Sequence, residues 1–281
     1  ASLEFVRVPY NLMQMHGKAA YLDSGTWAAA AIKEAREFGE TVIVGSSKAD
    51  NYTHIPKGYN IPDDANYFHC TSNNTIYGTQ MHGFPETEVP VVCDMSSDIF
   101  SRNLDFSKFS LIYAGAQKNM GPAGTTLIVV KEEILGKTGR HIPAILDYRQ
   151  HIAKESMYNT PAVFAIYTSY LTLQWLMANG GIDGMEKRNE EKAAHLYAEI
   201  DRNPLFKGVA KPEVRSKMNV TFTLKDDAYT EKFDNLWKSA GISGLNGHRS
   251  VGGYRASIYN AMPLESVQVL VDVMQQLERS A

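Results

Sequence analysis

Cysteine is scarce. The 281 residues contain two, Cys70 and Cys93, each inside an apolar, strand-like run. That argues against a disulfide framework and for a reducing compartment, so the chain is expected in the cytoplasm. No Cys/His group has the spacing of a zinc site, and no metal is expected. Long apolar runs are missing as well. Nothing approaches the roughly 20 residues that cross a bilayer, and no membrane partner is expected. The most apolar stretch, residues 163–177, is interrupted by Tyr167, Thr168, Ser169, Thr172 and Gln174 and reads as a helix buried in a globular core. Charge of one sign is not in excess: a formal net charge of -3 lacks the strongly basic footprint of a nucleic-acid binder. No G-x-G-x-x-G opens a helix after a strand, which removes the dinucleotide signature. The chain opens on Ala1-Ser2-Leu3-Glu4-Phe5 with neither a signal peptide nor a Met, so further residues are expected upstream.

What is present is an ordinary globular composition, long enough for one large or two modest domains. The first two-thirds alternates helices with short apolar runs. An alanine-rich helix is predicted over 27–38, capped at Ser24 and ending near Gly39. Strands are predicted over 41–44, 66–70, 89–93 (running into Asp94), 111–113 and 125–130. Such a pattern gives an α/β fold whose central sheet is mostly parallel and covered by helices. From Thr160 onward the pattern changes to helices over 161–179 and 184–201, a strand over 219–224, a helix over 228–240, a strand over 254–258 and a helix over 263–279 with Pro263 in its first turn. This second part reads as a smaller C-terminal α+β domain, giving a large domain over 1–190 and a small one over 191–281.

The most informative segment is Ala114-Gly115-Ala116-Gln117-Lys118-Asn119-Met120-Gly121-Pro122-Ala123-Gly124. It places one lysine in a glycine-rich turn between two strands. Lysine in surroundings poor in other charge has a depressed pKa, as a lysine that bonds covalently to an aldehyde needs; a solvated surface turn is the other reading. Asp94 stands at the carboxyl end of an apolar strand, where α/β sheets gather functional groups. A carboxylate there needs a partner, and a protonated pyridine nitrogen is one that would keep it ionised; a helix cap ahead of Ser96 and Ser97 is the plainer alternative.

Five motifs occur in order. They are Gly25-Thr26-Trp27 with Asn74-Thr75-Ile76, Asp94 with Ser96-Ser97, the lysine turn, Ser156-Met157-Tyr158-Asn159-Thr160-Pro161, and Gly247-His248-Arg249 with Gly252-Gly253-Tyr254-Arg255-Ala256-Ser257-Ile258-Tyr259-Asn260-Ala261. Together they resemble the phosphoserine aminotransferases, class-V pyridoxal-phosphate (PLP) enzymes of fold type I, through nearly the whole chain. The resemblance implies a PLP-dependent transaminase that moves an amino group between L-glutamate and 3-phosphohydroxypyruvate in L-serine biosynthesis, with 4-phosphohydroxy-L-threonine as a further substrate in pyridoxine biosynthesis. It implies that Lys118 carries the cofactor and shuttles the proton, that Asp94 pairs with the ring nitrogen, that Trp27 stacks on the ring and that Thr75 donates to its 3-oxygen. Ser2, Gln117, Asn159 and Thr160 would hold the phosphate, the last two reaching in from the neighbouring subunit of a homodimer with shared sites. Arg255 would grip the α-carboxylate, and His248 with Arg249 the distal anion.

Plainer readings stand beside these: Trp27 as core packing, Thr75 as a turn residue, Asn159 and Thr160 as a cap for the helix from Pro161, and His248-Arg249-Ser250 as a solvated loop. The family also carries a segment ahead of the matched part, with a His-Arg motif that helps bind the distal anion, and these residues hold no counterpart. That segment is expected as a separate chain of the same protein or as one removed. The rival readings are another fold-type I enzyme, such as an alanine–glyoxylate aminotransferase or a cysteine desulfurase, and an inactive fragment that completes a partner's site.

Overall fold

A computed structural model describes residues 1–249 and 251–281. In chain order its elements are α1 (Glu4–Leu12), β1 (Lys18–Asp23), α2 (Thr26–Ala35), β2 (Glu40–Ser46), β3 (Phe68–Thr71), β4 (Asn73–Asn74), β5 (Thr79–Gln80), β6 (Val91–Asp94), β7 (Leu111–Gly115) and β8 (Thr126–Val130). There follow α3 (Tyr148–Ala153), α4 (Val163–Ala178), α5 (Gly181–Arg202), β9 (Phe206–Gly208), β10 (Asn219–Leu224), α6 (Thr230–Ser239), β11 (Tyr254–Ser257) and α7 (Leu264–Arg279).

The central sheet has the order β2-β1-β3-β6-β7-β8, parallel throughout except for β8, which returns antiparallel along β7. Alternate residues of each inner strand feed opposite faces. Ala20, Leu22, Cys70, Cys93 and Ile112 pack into one apolar layer. Ala19, Tyr21, Tyr67, Val92 and Tyr113 pack into the other. This is why the inner strands read as continuous apolar runs. Both cysteines are buried and free.

The second sheet, β11-β10-β9, is antiparallel. Val220, Phe222 and Leu224 turn one face of β10 towards α5, α6 and α7, and the rings of Phe206, Phe222, Phe233 and Tyr254 meet at centroid distances of 4.8 to 6.3 Å. Burying each such ring contributes about 1.5–3 kcal/mol. Helix α5 runs unbroken past residue 190, and from Ala193 onward its buried side chains belong to this small core. We therefore keep 1–190 and 191–281 as a proposed division, one that falls inside a continuous helix.

Several local expectations are corrected. Helix α2 starts at Thr26 behind Gly25 with no side-chain cap; the Ser24 hydroxyl instead accepts from Asn74 Nδ2 at 3.3 Å. Pro263 is the residue ahead of α7, where its extended backbone ends the preceding loop. Most consequentially, α4 is not buried. Only Ala165, Ser169 and Leu176 are buried, while Val163, Phe164, Ile166, Tyr167, Tyr170 and Met177 are exposed. Its apolar residues run all round the helix, so a single neighbour covers only one stripe. That stripe lies on the lysine turn: a Cβ at Gly121 would stand 2.7 Å from Ser169 Oγ and 3.1 Å from its Cα, so only glycine permits the approach.

His69 on β3 gives the fold a pH dependence. It is buried against Tyr21, its Nε2 lies 2.9 Å from Tyr113 Oη, and burial lowers its pKa to about 3. The unfolded chain therefore binds a proton between the ordinary value of 6.5 and about 3 that the folded chain does not. Folding stability contributed by neutral His69 is complete above pH 6.5 and is lost as pH falls towards 3, at up to about 1.4 kcal/mol per pH unit. Urea unfolding across this window should show a steeper acid loss in the wild type than in His69→Gln; equal slopes would contradict it.

Candidate active site

The parallel strands β1, β3, β6 and β7 all end on one rim of the sheet, and each hands the chain on to a polar side chain there. β1 leads through Asp23 to Trp27, β3 through Thr71 to Asn73 and Thr75, β6 ends on Asp94, and β7 leads to Gln117 and Lys118. Ligands of α/β sheets gather at this carboxyl-terminal rim. Trp27, Thr71, Asp94, Gln117 and Lys118 border a single cavity of about 80 Å³, which Ala1 and Ser2 close from just ahead of α1. Larger cavities, of about 420 and 390 Å³, lie at the β9 edge and beside Tyr59. The first holds Asp201, already bonded to Arg215 at 2.6 Å, and neither brings an amine to a free buried carboxylate.

Burial dominates the electrostatics. It pushes the Asp94 carboxyl above its usual range, against the opposing pull of hydrogen bonds from Ser96 and the charge of Lys118. The Ser96 backbone N–H donates to Asp94 Oδ1 at 2.9 Å. Burial likewise draws the Lys118 amine below its usual value; Asp94 holds it up, Arg255 presses it down and Asp98 holds it up again. Each group alone is thus pushed towards neutrality by its surroundings, and a cationic ring nitrogen beside Asp94 would reverse that push. One further feature asks for a ligand: Thr71 Oγ1 is buried in the cavity wall without a partner. Helix α1 has no side-chain cap, and its first-turn N–H groups at Glu4 and Phe5 donate to the carbonyls of Ala1 and Ser2.

Five sequence-predicted residues therefore meet: Ser2, Trp27, Asp94, Gln117 and Lys118. Trp27 is 39% exposed, which sets aside the core-packing alternative. Thr75 stands at the margin, where its hydroxyl accepts from Trp27 Nε1 at 3.3 Å and its carbonyl from Arg255 Nη1 at 3.4 Å. Arg255, on β11, is half-buried with its Nε unpartnered, and its charge reaches Lys118. His248 and Arg249 sit on the turn before β11, Arg249 exposed, and neither borders the cavity; Ser250 lies outside the described residues. Asn159 and Thr160 are exposed and away from this chain's cavity. They do not cap α4, which starts at Val163 behind Ala162 with no side-chain bond.

Sequence reading missed Phe5, Thr71 and Asn73, which also border the cavity, and named Ser96 and Ser97 beside Asp94 without giving them a site role. Thr71 and Asn73 stood at a strand's carboxyl end and were findable on that ground. Phe5 carried no signal, since α1 itself was not read.

Residues 2–270 match the family Aminotransferase class-V. The chain belongs to that family. A phosphoserine aminotransferase of Flavobacterium johnsoniae is 76% identical over 278 residues, covering 99% of this chain and 78% of that protein. The solved phosphoserine aminotransferase of Bacillus circulans subsp. alkalophilus is 42% identical with a TM-score of 0.96, covering 99% of this chain and 78% of that one. The PLP-bound phosphoserine aminotransferase of Trichomonas vaginalis is 36% identical with a TM-score of 0.91, covering 98% and 79%. In this class-V aminotransferase the rim offers an amine with a lowered pKa, a buried carboxylate and an indole, a set suited to an aromatic aldehyde.

The coupling between Lys118 and Asp94 can be measured directly. Asp94→Asn removes the charge that most strongly holds Lys118 up, so the Lys118 pKa should fall further below its usual value. The pH profile of Lys118 modification by acetic anhydride in the cofactor-free protein, followed by mass spectrometry, reads this. A midpoint that stays put or rises would separate the two residues.

Proposed function

We propose that this PLP-dependent class-V transaminase transfers the amino group of L-glutamate to 3-phosphohydroxypyruvate, giving O-phospho-L-serine and 2-oxoglutarate. The observation that carries the reading is the meeting of Lys118 and Asp94 in one cavity, with Arg255 close enough for its charge to act on Lys118. The residues fit pyridoxal phosphate: burial presses the Asp94 carboxyl towards neutrality, which a cationic ring nitrogen would reverse, and Thr71 Oγ1 is a buried hydroxyl without a partner in the cavity wall.

Lys118 Nζ would hold the cofactor covalently, Asp94 its ring nitrogen, Trp27 its ring face, Thr75 its 3-oxygen, and Ser2 with Gln117 its phosphate. When bound, that group supplies the electron-withdrawing ring and carbonyl carbon that let an amino group pass between two acids. Once the substrate's amino group displaces it, the Lys118 amine, kept closer to neutral by burial, would take the proton from the substrate Cα and return it on the other side of the transfer. Arg255 presents a planar fork to the α-carboxylate, a task for which lysine is a poor substitute. Arg249 brings positive charge, and His248 a ring N–H donor, to the distal phosphate in a protein whose overall charge is negative.

The exposed apolar face of α4 directly follows Asn159 and Thr160, and neither residue serves its own chain's cavity. We infer that a second copy covers α4 and receives these two residues at its cofactor phosphate, making a homodimer with shared sites. Such an interface would bury about 2,000 Å² or more. Placement in L-serine biosynthesis in the cytoplasm, with 4-phosphohydroxy-L-threonine as a second substrate, belongs to the same proposal. Desulfuration is disfavoured, because Cys70 and Cys93 are both fully buried in strands.

The test is a coupled assay with glutamate and 3-phosphohydroxypyruvate. Arg255→Lys should raise KM for both substrates, since both present an α-carboxylate. In the reverse half-reaction Arg249→Ala should weaken phosphoserine far more than alanine, by about tenfold or more. Equal losses would move phosphate recognition elsewhere, and absence of turnover in the PLP-loaded protein would overturn the proposal.

A further inference from the structure

Three consecutive backbone carbonyls in the turn after Asp94 are each taken by an asparagine side chain from a different part of the chain. Ile99 O accepts from Asn119 Nδ2 at 3.1 Å, Phe100 O from Asn260 Nδ2 at 2.9 Å, and Ser101 O from Asn189 Nδ2 at 3.0 Å. The asparagines also bond one another. The Asn260 backbone N–H donates to Asn119 Oδ1 at 3.1 Å, and Asn189 Nδ2 donates to Asn260 Oδ1 at 2.8 Å. All three side chains are buried. Phe100, in the middle of the captured turn, holds a left-handed φ of 57°, a strained backbone that persists only where its surroundings fix it.

The positions of these residues matter more than their number. Asn119 is the next residue after Lys118. The captured turn is the one that Asp94 opens. Asn260 lies just beyond β11, the strand that carries Arg255, and Asn189 comes from α5. Lys192, on the same helix, adds Nζ donations to Ile258 O at 2.9 Å and Tyr259 O at 2.7 Å, which brace the segment leading to Asn260. At Asn119 and Asn260 a carboxamide suits the place because it donates and accepts at once. Asn189 acts as a double donor, its Nδ2 serving Ser101 O and Asn260 Oδ1 and its buried Oδ1 having no partner. A carboxylate would lose the donor, and an apolar side chain would leave a buried carbonyl unsatisfied.

We infer that Asn119, Asn189 and Asn260 are positioning residues for the transamination: they lock the Asp94 turn and the Lys118 turn to the end of β11, and so set where Lys118, Asp94 and Arg255 stand relative to one another. The inference rests on the active-site reading proposed above. Its energetic logic is that of catalytic alignment, where displacements of about 1 Å cost far more in rate than in stability.

The test compares Asn189→Ala and Asn260→Ala with Asn203→Ala in the PLP-loaded protein. Asn203 is an equally buried asparagine, bonded to Glu199 and the Met274 carbonyl inside the small core and remote from the cavity. Tm, kcat and KM are measured for each, with the pH midpoint of the cofactor absorbance band in the absence of substrate. Asn189→Ala and Asn260→Ala should lower kcat/KM by at least about tenfold and move the midpoint by roughly half a pH unit or more. Asn203→Ala, with a comparable loss of Tm, should move neither. If an alanine variant does not fold, Asn189→Ser, which retains a donor, is read in the same way. Folded variants at Asn189 and Asn260 with wild-type kcat/KM and midpoint would overturn the inference, as would an equal effect from Asn203→Ala. If instead Lys118→Ala kept wild-type turnover, the active-site reading itself would fall, and this inference with it.

Discussion

A carboxylate is costly to bury unless a cation or several donors stand beside it. Asp94 is 6% exposed at the end of β6, and one backbone donor serves it there. Much of the surrounding architecture follows from meeting that constraint without satisfying it in advance. The adjacent parallel strand β7 delivers Lys118 to the same rim, close enough to feel Asp94 but held partly neutral by the same burial. A site in which amine and carboxylate are each pushed towards neutrality is prepared for a ligand that restores the charge of one and bonds to the other.

The second sheet is bonded to the residues that follow β3 behind this rim. Thr221 on β10 donates to the Tyr77 carbonyl at 2.8 Å, Asn73 Nδ2 donates both to Ser97 Oγ and to Asn219 Oδ1, and Arg255 reaches the Thr75 carbonyl. These bonds tie the residues that follow β3 to the strands of the small unit. Arg255 is thereby kept near Lys118 by a polar seam, while the aromatic cluster around Phe222 holds the small unit itself together.

Legibility in the sequence followed burial. The runs at 89–93 and 111–113 were readable because strands of a parallel sheet are apolar on both faces. That at 125–130 was readable from its own β-branched, apolar residues, although β8 is an antiparallel edge strand with no buried residue. β1 was missed: its Lys18-Ala19-Ala20 start has weak strand preference, and only its central place in the sheet makes it a strand. Helix α1 was missed because Pro9 reads as a breaker, although Phe5, Val8 and Leu12 bury one side of it. Helix α4 was read as buried because hydrophobicity says that a face is covered and not by which chain. Within the cavity, Lys118 and Asp94 were legible from the order of their motifs. The asparagine lock was not, since Asn189 sits in a polar helix and looks like a surface residue until the fold brings it to Ser101 and Asn260.

The central claim is that Lys118 is the residue that bonds to pyridoxal phosphate. Borohydride reduction of the PLP-loaded protein, followed by peptide mapping, tests it most directly. The account predicts the pyridoxyl mass on the peptide containing Lys118 and its absence in Lys118→Ala. Recovery of that mass on Lys108 or Lys131 would contradict it.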